Sequence, residues 1–169
     1  MTNIVTANTV ITDVVTASDQ ADVSITPIPY SDTKFVFTWK ISNWYQSKVL
    51  ESTDLSDVTG RVVVQSSTAT ASSSCQTVID RQGYLYVNIV HNSGGTYLRR
   101  AILNSSTFVI ETFVTIRTSG GSYARKNCET CLLSDGTVMA PYAESSGQDG
   151  IRQVNGTSTS DDNERDVNN

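Results

Sequence analysis

Short apolar runs alternate with turn-forming residues along the whole chain. Residues 34–41 (Lys34-Phe35-Val36-Phe37-Thr38-Trp39-Lys40-Ile41), 61–65, 84–90, 97–102 and 108–116 are rich in Val, Ile, Thr and aromatic side chains, the residues that suit a pleated, half-buried surface. Between them stand Ser31-Asp32, Asp80-Arg81-Gln82-Gly83, Asn92-Ser93-Gly94-Gly95, Ser119-Gly120-Gly121-Ser122, Ser134-Asp135-Gly136 and Asp149-Gly150. Gly supplies positive φ at tight hairpins, and Asp or Asn tolerates it. No apolar series at i, i+3, i+4, i+7 persists beyond two turns, so no helix is predicted. The fold class expected is all-β, built from repeated antiparallel four-stranded units, propeller-like or sandwich-like.

The chain repeats itself at an offset of 53 residues. Cys75-Gln76-Thr77 matches Cys128-Glu129-Thr130, Gly83 matches Gly136, Ser93-Gly94 matches Ser146-Gly147, and Leu98-Arg99 matches Ile151-Arg152. A weaker copy lies upstream, with Phe35-Val36-Phe37 in the place of Leu85-Tyr86-Val87, at an offset of 50. These matches divide the chain into an N-terminal arm or edge strand (1–21), a β-domain (22–154) of two to three units (about 22–71, 72–124 and 125–154), and a polar acidic tail (155–169). Residues 66–74 read as an extended loop or a weak edge. Phe108 to Ile116 reads as the fourth strand of its unit, and no fourth strand is legible after Ile151-Arg152-Gln153-Val154. The tail has nothing to bury, so it is expected to be disordered alone or held by a partner subunit. A four-stranded unit repeated at this spacing is the pattern of a propeller blade.

Asp135-Gly136-Thr137-Val138-Met139-Ala140, after Leu132-Leu133-Ser134, resembles the inner hairpin of sialidase-like propeller blades. Ser93-Gly94-Gly95-Thr96-Tyr97 resembles the Asp-box turn of that family, with the Asp missing and Tyr97 where Trp is usual. The resemblance covers residues 72–154. It implies a propeller of about four to eight blades, more than this chain supplies. Several chains would therefore close a ring, or the chain would form a small sandwich. A sialidase would need an arginine triad and a Tyr/Glu pair. Arg99, Arg100, Arg117, Arg125 and Arg152 are available with Tyr97, Glu111 and Glu144, but that family's active site draws on a whole six-bladed ring, so no enzyme activity is expected.

Composition narrows the partners. The chain carries 12 basic and 17 acidic residues in 169, a net charge of −5, and only 17% of its residues are charged. An acidic chain with scattered cations is a poor binder of nucleic acid. No apolar run approaches the length of a membrane-spanning helix, and the first residues lack the pattern of a secretory signal. The C-x-x-C at Cys128 and Cys131 has no second pair to complete a Cys₄ metal site, and its flanks suit a strand, so reduced, mostly buried thiols are expected. His91, the only histidine, sits beside a turn with no nucleophile elbow near it. No phosphate-binding loop is present, and no cofactor or metal is expected.

The candidate ligand-binding residues are Trp44 and Tyr45, read as lying on a loop after a strand, Tyr97, and the recurring pair Arg99 and Arg152. The functional expectation is a non-enzymatic structural or host-attachment component of a virus-like particle, a phage tail or capsid accessory protein. It would form homo-oligomers, contact other virion proteins and engage a glycan or host receptor. It would reside in the virion or outside the cell, and in the cytoplasm before assembly. The alternatives are a carbohydrate-binding sialidase-like module and a fragment of a larger β-propeller.

Overall fold

A computed structural model describes residues 23–41, 44–66, 73–91, 95–119, 129–143, 149–154 and 163–166. They form twelve strands and no helix. In chain order the strands are β1 (Val23–Pro27), β2 (Lys34–Ile41), β3 (Trp44–Glu51), β4 (Val62–Ser66), β5 (Ser73–Ile79), β6 (Tyr84–His91), β7 (Gly95–Ile102), β8 (Val114–Ser119), β9 (Cys131–Leu132), β10 (Val138–Ala143), β11 (Asp149–Val154) and β12 (Asn163–Asp166). Consecutive strands pair antiparallel into three four-stranded meanders: β1 to β4 (first sheet), β5 to β8 (middle sheet) and β9 to β12 (last sheet). The chain is all-β and built from repeated four-stranded units.

The 53-residue repeat is present in the hydrogen bonding. Ile79 pairs with Leu85, and 53 residues on Leu132 pairs with Val138; likewise Leu85–Ala101 becomes Val138–Val154. The turns repeat too. Gly83 N donates to Asp80 O (3.2 Å) and Asp80 N to Tyr84 O (3.0 Å), matched by Gly136 N to Leu133 O (3.0 Å) and Leu133 N to Thr137 O (2.8 Å). Both glycines hold φ near +90° (90° and 88°), a region that L side chains avoid. The first sheet closes its turn with the same two bonds, Ser31 N to Ile28 O and Ile28 N to Lys34 O. That turn is longer, which brings β2 onto β6 at an offset of 50, Lys34 onto Tyr84.

The sheets stack in chain order, with β1 beside β5 and β5 beside β9. Between the first and middle sheets lie Val36, Tyr45, Val49, Val64, Cys75, Leu85, Val87 and Ile89. Between the middle and last sheets lie Tyr86, Leu98, Ile116, Val138, Ala140 and Val154. Alternate residues of β6 thus feed opposite cores, as the period of two requires. A buried chain of hydroxyls crosses the first seam: Ser47 and Thr38 are 2.7 Å apart, and Thr77 Oγ1 donates to Thr38 Oγ1 at 2.9 Å. Such groups cost about 1–3 kcal/mol when buried without partners, so the polar atoms fix the lateral position of one sheet on the next.

Three expectations are corrected. Trp44 and Tyr45 begin a strand, β3, rather than a loop; its interleaved polar residues, Gln46, Ser47 and Lys48, hide the alternation. Phe108 to Phe113 is not strand. Asn104 Oδ1 accepts from Ser106 N and Thr107 N, both at 2.9 Å, and Phe108 N donates to Asn104 O at 2.8 Å. This local turn leaves a single antiparallel bridge, Leu103 to Ile110, in place of a ladder, and sends Ile110 and Phe113 into the first core. The fourth strand starts only at Val114. The last sheet does have a fourth strand: Asn163–Asp166, within the expected tail, pairs with β11 from Gln153 to Gly150. Strand pairing satisfies backbone groups, so a polar sequence can supply it. Residues 66–74 supply the end of β4 and the start of β5, with 67–72 outside the described residues.

Candidate functional site

The five candidate residues fall in three places. Trp44 stands on the outward face of the first sheet, 46% exposed. Tyr45, its neighbour, points the other way and is fully buried in the first core, where Tyr97 packs at the margin. Both tyrosines therefore serve one core, inside the molecule. Arg99 shares the face of Tyr97; its guanidinium bonds the Thr115 hydroxyl and reaches Phe113 O at 3.5 Å. Partial burial holds its pKa below the ordinary arginine value. Arg152 pairs with Ala140 across β10 and β11 and is 1% exposed within the second seam. Arg99 and Arg152 are equivalent in the repeat but face different seams, so they line no common surface. The Asn92-Ser93-Gly94 turn, Cys128 and the Ser146-Gly147 turn lie outside the described residues.

The two matching hairpins border a cleft of about 650 Å³, lined by Asp80, Arg81, Gln82, Leu132, Leu133, Ser134, Asp135 and Gly136. Its carboxylates are engaged in turn closure. Asp80 Oδ1 accepts from Gln82 N (2.9 Å) and Tyr84 N (2.8 Å), and Asp135 Oδ1 accepts from Thr137 N (2.9 Å). The Thr137 N–H holds the Asp135 carboxyl below the usual carboxylate range. On the far side of the middle sheet's turn, burial pushes the Tyr86 hydroxyl up to about 12, so it remains a neutral phenol. Cys75 is buried and Cys131 exposed, both as free thiols; the exposed thiol departs from the expectation of mostly buried ones. Among the described residues, no three His, Cys, Asp or Glu side chains cluster to hold a metal ion.

The most developed surface feature includes only Trp44 of the five candidates. On the outward face of the first sheet, Val23 (48%), Ile25 (64%), Trp44 (46%) and Val63 (42%) are exposed together. Phe37 stacks on Trp39 at 5.4 Å within the same face, and Lys48 Nζ stands 5.9 Å over the Trp39 ring. The available signal was the run Phe35-Val36-Phe37-Thr38-Trp39, which is apolar on one side at every second residue and keeps Val36 for the other. Comparison with known proteins returned no matching family model and no curated protein.

Proposed function

We propose that the chain is a non-enzymatic structural or host-attachment subunit of a virus-like particle, a tail or capsid accessory protein, working by sheet-on-sheet packing with other subunits. The observation that carries this reading is the apolar outward face of the first sheet. A contiguous exposed apolar patch on a folded chain marks an interaction surface, and this one is carried by four hydrogen-bonded strands. The composition agrees: few charges, and many hydroxyl and amide side chains that hydrogen-bond across packed β-surfaces. Density-gradient purification of particles from the source culture, with mass spectrometry and antibody labelling, tests it. The chain is expected in the particle band at a fixed ratio to the other particle proteins. Recovery only from the soluble cell fraction overturns the reading.

Exposure of Trp44 favours a second reading, a carbohydrate-binding module that stacks a sugar ring on the indole. A glycan array with the parent chain and Trp44→Ala separates the two, since sugar binding should vanish with the indole.

A further inference from the structure

The three sheets are joined by one seam used twice. Ser24 Oγ of the first sheet accepts from Thr77 N of the middle sheet at 3.0 Å, and Gln76 Oε1 of the middle sheet accepts from Thr130 N of the last at 2.5 Å. Ser24 and Gln76 hold equivalent places in their sheets, as do Thr77 and Thr130. Each sheet thus has a leading face and a trailing face, and the trailing face of one covers the leading face of the next.

Equivalent positions differ in exposure according to whether that seam exists. Leu98, on the trailing face of the middle sheet, is fully buried, whereas its equivalent in the last sheet, Ile151, is 41% exposed. Thr77 and Thr130, on leading faces, are 3% and 6% exposed, whereas their equivalent in the first sheet, Ile25, is 64% exposed. Cys75 is 8% exposed and its equivalent Val23 is 48%. Among the described residues, the first sheet's leading face therefore stays exposed at Val23, Ile25, Trp44 and Val63, around a buried Trp39, and the last sheet's trailing face stays exposed at Ile151 and Cys131. The first of these faces is mainly apolar, and the second sets Ile151 opposite Arg165 and beside Gln153 in the ladder; each is the type of surface that the other type covers elsewhere in the same chain.

We propose that a second copy of this chain continues the seam at both ends, so that two chains close a ring of six sheets. The contact is head to tail: the last sheet of one copy covers the first sheet of the other, and the same contact recurs on the opposite side. Such heterologous contacts close when the rotation permits and otherwise run on as filaments. Rings of stacked four-stranded sheets contain about four to eight of them. With three sheets per chain, two copies are the only number in that range.

This deepens the packing part of the proposed function, and its test is independent of particles. Light scattering after size exclusion of the full chain is expected to give twice the 18.3 kDa of one chain. Ile25→Asp and Ile151→Asp place a charge on opposite faces, at positions exposed within one copy, so each should fold. Each is expected to raise the dimer dissociation constant at least about tenfold, because a carboxylate would be moved from water into the seam. Val109→Asp, exposed in the loop after β7 and off both faces, should leave the dimer intact; circular dichroism checks the fold of all three. A monomer overturns the ring, as does an open-ended series of larger species. A dimer that survives Ile151→Asp also overturns it, since the two copies would then meet first sheet to first sheet. A dimer absent from particles would instead overturn the proposed function and leave the ring standing.

Discussion

The middle sheet and the last sheet share a register and a turn, yet they live in different surroundings. The middle sheet is covered on both faces, and its β6 runs Leu85, Tyr86, Val87, Asn88, Ile89 without an exposed side chain. In the last sheet the same alternation continues, but among the described residues the buried side chains, Thr130, Val138, Ala140, Arg152 and Val154 among them, lie toward the middle sheet. Identical backbone geometry is therefore compatible with very different energetics, because burial and not the ladder sets the worth of each side chain. Asn88 shows the middle sheet's dependence on its neighbours: fully buried, it donates from Nδ2 to Pro141 O of the last sheet at 3.0 Å.

Substitutions at equivalent positions sharpen this contrast. Leu98→Ala should lower stability by about 2–5 kcal/mol in urea unfolding, since it leaves a cavity in a closed seam. Its counterpart Ile151→Ala should cost less than about 1 kcal/mol in dilute solution, rising with protein concentration if a second copy covers that face. Equal losses at the two sites under dilute conditions would erase the distinction.

The two turn glycines come next. Both need positive φ, so alanine costs about 1–2 kcal/mol at either one. A Cβ on Gly83 would also stand 2.6 Å from Leu103 O, whereas one on Gly136 meets nothing within 4 Å. Gly83→Ala should therefore cost on the order of 3 kcal/mol and Gly136→Ala clearly less, read from paired thermal melts. The Leu103 carbonyl cannot retreat freely, because it accepts from Tyr30 Oη at 3.1 Å while Leu103 N donates to Gly83 O at 2.7 Å.

The smallest effect separates the turn carboxylates. Asp80→Ala removes the acceptor for two N–H groups in a buried turn and should cost about 1–3 kcal/mol. Asp135 is solvated, and its replacement should cost less. Because the folded state holds the Asp135 carboxyl below its ordinary value of 3.8, it stabilises the fold above that value. The contribution fades as pH falls through the lowered folded value. Melting temperature against pH should show a shallower acid limb in Asp135→Asn than in the parent.

Much of this was legible in the chain. The five apolar runs, the glycine turns and the 53-residue offset depend on local chemistry: β-branched side chains favour extended backbone, and only glycine accepts the φ at positions 83 and 136. The upstream copy at offset 50 was legible for the same reason, through Phe35-Val36-Phe37. Strand β3 was hidden because Ser47 is buried through a hydroxyl partner, Thr38, that no local pattern announces. Phe108 to Phe113 has the sequence of a strand because its apolar residues serve a core and not a ladder. Tyr45 and Trp44 are adjacent in sequence, but a strand sends neighbours to opposite faces.

The sequence by itself determined that the chain is all-β, where its hairpins turn and how often the unit recurs, because those properties depend on side-chain shape and backbone freedom within a few residues. Only the tertiary structure decided which face of each sheet is covered. It also decided that Arg152 lies inside while Trp44 lies outside, and that Asn163–Asp166 completes a sheet. Those outcomes depend on groups brought together from 50 or more residues apart, as with Ser24 and Thr77, and on backbone edges that pair without regard to side-chain type.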